Sequence, residues 1–315
     1  DHPRGSKKLI GAWALYDWAN SVYSLVISSA VFPIYYSQYI FADTYSIILF
    51  NLEINKDTLI SSVSGLSFLL IAFLSPLLSG IADYIGNKKI FMKFFVYLGS
   101  FSCISLYWFE LETIEISLVF YVLGLIGFWG SLVYYNSYLT DITYPKQTNK
   151  VSARGYVMGY IGSVILLLVN LIMINYYESF GFSSEIYAMK TSFAIVGLWW
   201  LAFSQYSFYH LPKGNKGVKI PKNIIWNGFR ELKSVYKIIR SSKRFTRFLL
   251  AFFIKYVQST SVFIAALRTR FFIIYFWYID LMPYLWLNLV GCSLVMFIAI
   301  LIQFSVKNKT NQPSS

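Results

Sequence analysis

The stretch GAWALYDWANSVYSLVISSAVFPIYY, residues 11–36, decides the fold class of this chain. It is long enough to cross a bilayer as a helix, because about 20 mostly apolar residues suffice. Its first half nevertheless contains Asp17 and Asn20. A carboxylate at the centre of a spanning helix costs about 2.5–3.5 kcal/mol on insertion scales, so such a residue is expected to face a hydrated cavity or a polar partner.

Helical spacing divides this span into two faces. The polar residues at i, i+4, i+7 and i+11 share one side: Asp17, Ser21, Ser24 and Ser28. The opposite side is apolar and is expected to contact lipid: Leu15, Val22, Ile27 and Val31. Asp17, Asn20 and Ser24 are therefore predicted to line a solute pathway. The alternative is that Asp17 stays hydrated near the headgroups and the serines bond to their own helix.

The composition of the 315 residues is that of an integral membrane protein. Charged residues make up 13% of the chain and hydrophobic residues 57%, whereas soluble domains carry about 25% charged residues. The net charge of +13 does not indicate a nucleic-acid partner, because the basic residues are concentrated between apolar stretches. Cys103 and Cys292 lie in apolar runs, so we expect no metal site, no cofactor and no disulfide.

Six apolar stretches of spanning length precede a long basic segment. They are expected at about 11–36, 58–82, 90–109, 116–139, 155–175 and 187–209. If the N-terminus is cytoplasmic, every lysine and arginine up to residue 247 falls on the cytosolic side except Lys56 and Lys190. This distribution follows the positive-inside rule. The chain is therefore expected to be a multi-pass protein, and a bacterial inner membrane is the expected location.

The chain beyond residue 210 is expected to form two further regions. Residues 211–247 carry eleven lysines and arginines and are expected to form a basic cytosolic linker. Within it, residues 223–240 have apolar positions at helical spacing, which predicts an amphipathic helix on anionic lipid; a linker made basic by topology alone is a compatible alternative. Residues 248–315 would form a partial bundle of one or two spans. The expected fold is thus an all-α polytopic protein of about eight spans, with residues 1–210 as a six-span bundle.

The most specific local signal is the turn between the second and third spans, Gly80-Ile-Ala-Asp83-Tyr-Ile-Gly86-Asn-Lys88-Lys89. Glycine permits a tight turn, and a carboxylate can cap a helix end. The turn resembles the G-x-L-A-D-x-x-G-R-K signature of the major facilitator superfamily, with Ile81 for Leu and Asn87 for Arg. That resemblance implies two bundles that alternate access, and a gating motif that latches the inner gate through Gly80, Asp83, Gly86, Lys88 and Lys89. A charged turn with a capping aspartate is the alternative.

Three further stretches resemble the vacuole effluxer-like branch of this superfamily. They are Trp13-x-x-Tyr16-Asp17-Trp18-Ala19-Asn20-Ser21-x-Tyr23, Tyr135-Asn-Ser-Tyr-Leu-Thr-Asp141-Ile142 and Ser152-x-Arg154-Gly155-Tyr156-x-x-Gly159-Tyr160-x-Gly162. The resemblance covers about residues 8–267 and leaves the C-terminal half incomplete. It implies secondary transport, with amino acids as the solute suggested by eukaryotic members. The span-four arginine of many proton-coupled members is absent, so the sequence does not support proton coupling.

Several of these residues have a packing interpretation beside a functional one. Gly155, Gly159 and Gly162 follow one another at the spacing of small residues that let helices approach closely, so we expect them to serve helix packing. Asp141 and Arg154 flank one loop at the cytosolic side. They either form an ion pair there or remain separately solvated, which is the commoner case at a surface.

The sequence as a whole predicts a secondary transporter of a small polar solute rather than an enzyme. The expected pathway residues are Asp17, Asn20, Ser24, Asn136, Lys255 and Gln258. Asn136 either contacts the solute or bonds to a neighbouring helix, and Lys255 either binds a carboxylate or extends to the membrane surface. A truncated, non-transporting membrane protein or assembly partner is the alternative. A membrane-embedded enzyme is a weaker one, and no oligomeric state is predicted.

Overall fold

The computed structural model describes residues 3–49 and 52–213. Within the second span it does not describe the side chains of residues 72, 76, 77, 79–81 and 83–85. The expected basic linker with its amphipathic helix, the partial C-terminal bundle, Lys255 and Gln258 therefore lie outside the described residues.

Helices make up most of the described chain. The first span is one helical rod of four segments: α1 (Lys7–Val22), a π-helical segment (Tyr23–Ala30), α2 (Val31–Ile34) and a second π-helical segment (Tyr35–Ile40). The remaining spans are α3 (Lys56–Ile85), α4 (Lys88–Ser105), α5 (Ile114–Ile142), α6 (Thr148–Asn175) and α7 (Glu185–His210). Short 3-10 turns follow α4 at Leu106–Trp108 and α6 at Tyr177–Phe180.

The six predicted spans are confirmed as helices. Five of them, α3 to α7, contain stretches long and apolar enough to cross a membrane. The helices extend beyond the apolar stretches, and α6 begins at Thr148 rather than at Gly155. Its first turns carry Lys150 and Arg154, both exposed. Backbone hydrogen bonds, not hydropathy, determine where a helix begins, so polar turns at the membrane surface remain helical.

A small β-hairpin departs from the all-α expectation. Strands β1 (Ser46–Leu49) and β2 (Leu52–Asn55) pair antiparallel between the first and second spans, with Ile47 opposite Ile54. The Ser46 hydroxyl donates a hydrogen bond of 2.6 Å to Glu53 Oε1 across the strands. This segment was expected to be a polar loop, but its β-branched isoleucines favour the extended conformation.

The first span lies inside the bundle and not at its lipid surface. It packs along α6 and α7 and also touches α5. The prediction that Val22, Ile27 and Val31 face lipid is wrong, because these side chains are at most 1% exposed. Periodicity showed correctly that one face is polar and one apolar, but it does not say whether an apolar face meets lipid or neighbouring helices.

The other spans pack beside the first span or beside one another. α4 packs along α5, and α7 lies between α1 and α4. α3 contacts mainly α5 and is peripheral. Only 18% of its apolar spanning stretch is buried inside the protein, whereas the share is 44–50% in α4 to α7. The two ends of the bundle differ in charge. We call the end with the N-terminus, the α3–α4 turn and the α5–α6 loop the basic end, and the opposite end, which carries Asp43, Glu53, Glu110 and Glu112, the acidic end.

Candidate functional site

Asp17 lies in the contact between α1 and α6, and it is 7% exposed. Its Oδ1 accepts a hydrogen bond of 2.9 Å from the Ser21 hydroxyl, one turn along the helix. A Cβ at position 159 would lie 3.0 Å from Asp17 Cγ and 2.5 Å from Ser21 Oγ. The α6 backbone can therefore lie against this carboxylate because residue 159 is glycine.

Tyr135 brings α5 to the same point. The Trp13 ring stacks on it, with centroids 4.3 Å apart and planes 10° from parallel, and Trp13 Nε1 donates a 2.9 Å hydrogen bond to the Tyr135 carbonyl. Tyr16 lies on its other side at 5.0 Å. The Tyr135 hydroxyl is close to the Asp17 carboxylate and is buried without a well-aligned hydrogen bond. The three stretches that resemble the effluxer-like branch thus meet around Asp17.

Asn20 belongs to a second buried polar group between α1 and α5. The Ser131 hydroxyl is 3.5 Å from Asn20 Oδ1 and donates a 2.8 Å hydrogen bond to the Phe128 carbonyl. Asn20 is 1% exposed, and its Nδ2 has no hydrogen-bond partner. The Tyr16 hydroxyl lies near Ser131 and Trp200. Asn20 therefore points into the bundle.

The predicted pathway residues do not form one surface in the described part of the chain. Asp17 faces α6 and Asn20 faces α5, whereas Asn136 is exposed on α5. Ser24 donates to the Ser21 carbonyl at 3.0 Å, as in the alternative that the serines bond to their own helix. A π-helical segment begins at Tyr23. A π-helical segment has more residues per turn than an α-helix, so residues beyond Tyr23 no longer share a face with Asp17 at the i, i+4, i+7 spacing. Such segments are frequent at functional sites.

The three expected packing glycines lie along the α1 contact. A Cβ at Gly155 would be 2.6 Å from the Trp13 ring, and one at Gly162 would be 2.7 Å from the Trp18 carbonyl oxygen. Together with Gly159 they form a smooth strip on α6. The strip places the α6 backbone against the Trp13, Asp17 and Trp18 turns of span one.

The predicted gating motif turns at Gly86 between α3 and α4, and its two lysines contact the ends of two other helices. Gly86 has φ of 65°, a conformation that glycine adopts without strain. Lys88 forms a 3.0 Å ion pair with Asp141 at the end of α5. Arg154, the partner of Asp141 in one of the two alternatives, is exposed on α6. When Ile81 is aligned with the leucine of the signature, Ser79 and not Gly80 takes its first glycine position; the Asp83 side chain is outside the described residues.

Lys89 is buried and caps the last turn of α7. Its Nζ donates to the Phe208 carbonyl at 2.8 Å and to the Leu211 carbonyl. These carbonyls are at a helix C-terminus, where a cation is favourable. The sequence placed Lys89 in a gating turn but gave no indication of this contact, because its partners are more than a hundred residues away.

Replacing Lys89 by methionine should lower the free energy of unfolding by about 1–3 kcal/mol, because the two buried carbonyls lose their donor. The measurement is thermal unfolding of the purified protein in detergent. Lys150→Met on the exposed first turn of α6 is the matched control. Equal unfolding midpoints for the two variants would contradict the cap.

Arg4 is a residue whose role the sequence did not suggest. Its Nε donates to the Thr143 carbonyl at 2.9 Å and its Nη2 to the Thr140 carbonyl at 2.8 Å. The Gly5 amide donates to the Ile142 carbonyl at 2.8 Å. The N-terminal segment therefore caps the C-terminus of α5, next to the Lys88–Asp141 pair. A basic residue before a span is expected from topology alone, so no local pattern marks this contact.

A cavity of about 420 Å³ opens at the acidic end. Tyrosine and acidic side chains line it, together with Lys190, which donates a 2.6 Å hydrogen bond to Glu110 Oε1. This ion pair ties the α4–α5 loop to the first turns of α7. Among the described residues, Lys56 and Lys190 are the two basic residues that lie away from the basic end, and this ion pair gives Lys190 a partner.

Comparison with known proteins relates the chain to a described family and to a bacterial protein. Residues 5–310 match the family described as "Vacuole effluxer Atg22 like". A relative from Bacillus subtilis (strain 168), described as "Uncharacterized MFS-type transporter YxiO", is 35% identical over 244 residues. That match covers 77% of this chain and 55% of the relative, so the chain spans a little over half of that protein's length.

Proposed function

This chain belongs to the vacuole effluxer Atg22-like family, and from that membership we propose that it forms part of a secondary transporter that moves a small polar solute by alternating access. The helical spans and the family identify it as an integral, multi-pass membrane protein. Amino acids are the solute class that we propose to test first. We further propose that the basic end faces the cytosol of a bacterial cell, in accordance with the positive-inside rule.

The observation that carries the proposal is the polar interior of span one. Asp17 and Asn20 are buried within a helix whose other buried residues are apolar or aromatic. Ionisable groups within the membrane are costly and are typically found on solute or proton pathways. A bundle that served only as a scaffold would be more stable with apolar residues at these positions.

The described helices would form one of the two bundles that move relative to each other during transport. In transporters of this architecture one bundle rocks against the other about a site near the membrane midplane. Ser24 and Asn136, with Lys255 and Gln258 outside the described residues, are the proposed solute contacts. The gating motif, held to α5 and α7 by Lys88 and Lys89, would latch the basic end during the cycle.

Counterflow in proteoliposomes tests this function. Vesicles containing the purified full-length protein and loaded with a mixture of unlabelled amino acids should take up the labelled mixture faster than protein-free vesicles. Asn136→Ala should slow uptake about tenfold if it removes one hydrogen bond to the solute. Asn149→Ala, at an exposed position on the first turn of α6, is the matched control. Absence of counterflow from protein that unfolds cooperatively would overturn the amino-acid proposal.

A further inference from the structure

We propose that Asp17 is a proton-binding site, and that its protonation alters how α5 meets span one. The binding of the proton stands on the geometry alone. The coupling of that proton to solute movement rests on the proposed function.

Among residues 3–49 and 52–213, the Asp17 carboxylate has no positive partner. Neither of the two ion pairs found in the described part of the chain, Lys88–Asp141 and Lys190–Glu110, includes it. Its neighbours that can donate a hydrogen bond are the neutral hydroxyls of Ser21 and Tyr135. A buried carboxylate without a cation is costly to keep ionised, and a proton is the simplest ligand that neutralises it.

The titratable side chains close to Asp17 in the described part of the chain are phenols. Tyr16 is adjacent on α1, Tyr135 reaches it from α5, and Tyr156 of α6 is close to Tyr135. α7 meets α1 through Trp199 and Ser207, neither of which titrates. No phenol is an alternative acceptor near neutral pH, because an unperturbed tyrosine titrates near 10. A proton taken up here therefore resides on Asp17.

The contact between α1 and α6 is close beside the carboxylate. The α6 backbone at Gly159 lies against Asp17 Cγ, so closely that an added Cβ would be 3.0 Å away. Tyr135, whose ring stacks on Trp13, brings α5 close to the carboxylate as well. A proton can bind in this crowded contact because it requires no added volume.

The Tyr135 hydroxyl is the group that responds to the proton. It is buried beside the carboxylate and has no well-aligned hydrogen bond of its own. When Asp17 is ionised, this hydroxyl can donate to it. When a proton from water binds Asp17, the carboxyl loses its negative charge and gains an O–H donor, so the hydroxyl loses a charge-assisted acceptor and can accept from the carboxyl instead. Tyr135 directly precedes the exposed Asn136, so such a change reaches a proposed solute contact.

Infrared titration of the purified full-length protein in lipid vesicles tests proton binding without any solute. The wild type should show a carboxylic C=O band that disappears as pH rises. Asp17→Asn should lack this band, and Asp57→Asn, at an exposed site on the first turn of α3, should retain it. The same band in Asp17→Asn, or no titrating band in the wild type, would overturn the proposal.

Tyr135→Phe provides a second test of proton binding, which does not require Asp17→Asn to fold. Loss of the hydroxyl removes a donor to the ionised carboxylate, so the carboxylic band should persist to higher pH by about one unit. An unchanged titration would overturn the assignment of Tyr135. The stacking on Trp13 is retained in this variant, because the ring itself is unchanged.

Counterflow measured at several pH values distinguishes a failure of the proton site from a failure of the proposed transport function. Amino-acid counterflow by the wild type should depend on pH, and Asp17→Asn should lose that dependence. A titrating Asp17 band without amino-acid counterflow would uphold the proton site and reject the solute class. Counterflow that is independent of pH would uphold the solute class and reject the coupling, as would a sodium requirement in place of the pH dependence.

Discussion

Trp200→Ala should lower the free energy of unfolding by about 3–5 kcal/mol, the usual cost of emptying a large buried aromatic site. Trp200 is fully buried where α7 meets α1, α4 and α5. Its ring centroid lies 5.9 Å from that of Tyr23 and 6.4 Å from that of Phe128. The ring also covers Gly99 on α4. Alanine would leave a cavity that four helices cannot all close, because each is held by other contacts.

A buried thiol offers a direct measurement of this loss. Cys103 on α4 is 0% exposed, and it is the only cysteine of these 315 residues once Cys292 is replaced by serine. A thiol-reactive fluorophore then reports unfolding as the protein is heated in detergent. Trp108→Ala is the matched control, since Trp108 is 64% exposed. If both tryptophan variants unfolded at the wild-type temperature, Trp200 would not be a core residue.

Gly127→Ala is the second substitution for which we expect a large effect, about 3 kcal/mol of lost stability. α4 and α5 touch backbone to backbone at Gly99 and Gly127. A Cβ at Gly127 would lie 2.5 Å from the Gly99 Cα and 2.8 Å from the Phe95 carbonyl oxygen. Neither group can rotate away as a side chain could. One methyl group must therefore push the two helices apart along their contact.

Gly65→Ala is the control for this substitution. Gly65 is also within a helix, and no atom lies within 4 Å of its added Cβ. It should change stability by less than about 1 kcal/mol, because alanine is at least as good a helix former as glycine. Similar unfolding midpoints for the two variants, measured by Cys103 labelling, would show that α4 and α5 are not in backbone contact.

The sequence by itself determined the number, type and approximate position of the described spans. Apolar length is a local property, and the bilayer thickness converts it directly into a spanning helix. It also indicated that Asp17 and Asn20 are unusual, because a polar side chain in an apolar run requires no knowledge of its neighbours to be noticed. The motifs identified the family from residues close together in the chain.

Only the tertiary structure decided what these residues touch. Asp141 pairs with Lys88 and not with Arg154, Lys89 caps α7, and Tyr135 reaches Asp17. Each of these contacts joins residues that are far apart in the chain. The apolar face of span one turned inward, and a π-helical segment broke its periodicity at Tyr23. Hydropathy cannot distinguish an apolar neighbour from lipid, since both are equally apolar. The partners of a side chain are therefore decided by how the helices pack together, which local sequence patterns do not contain.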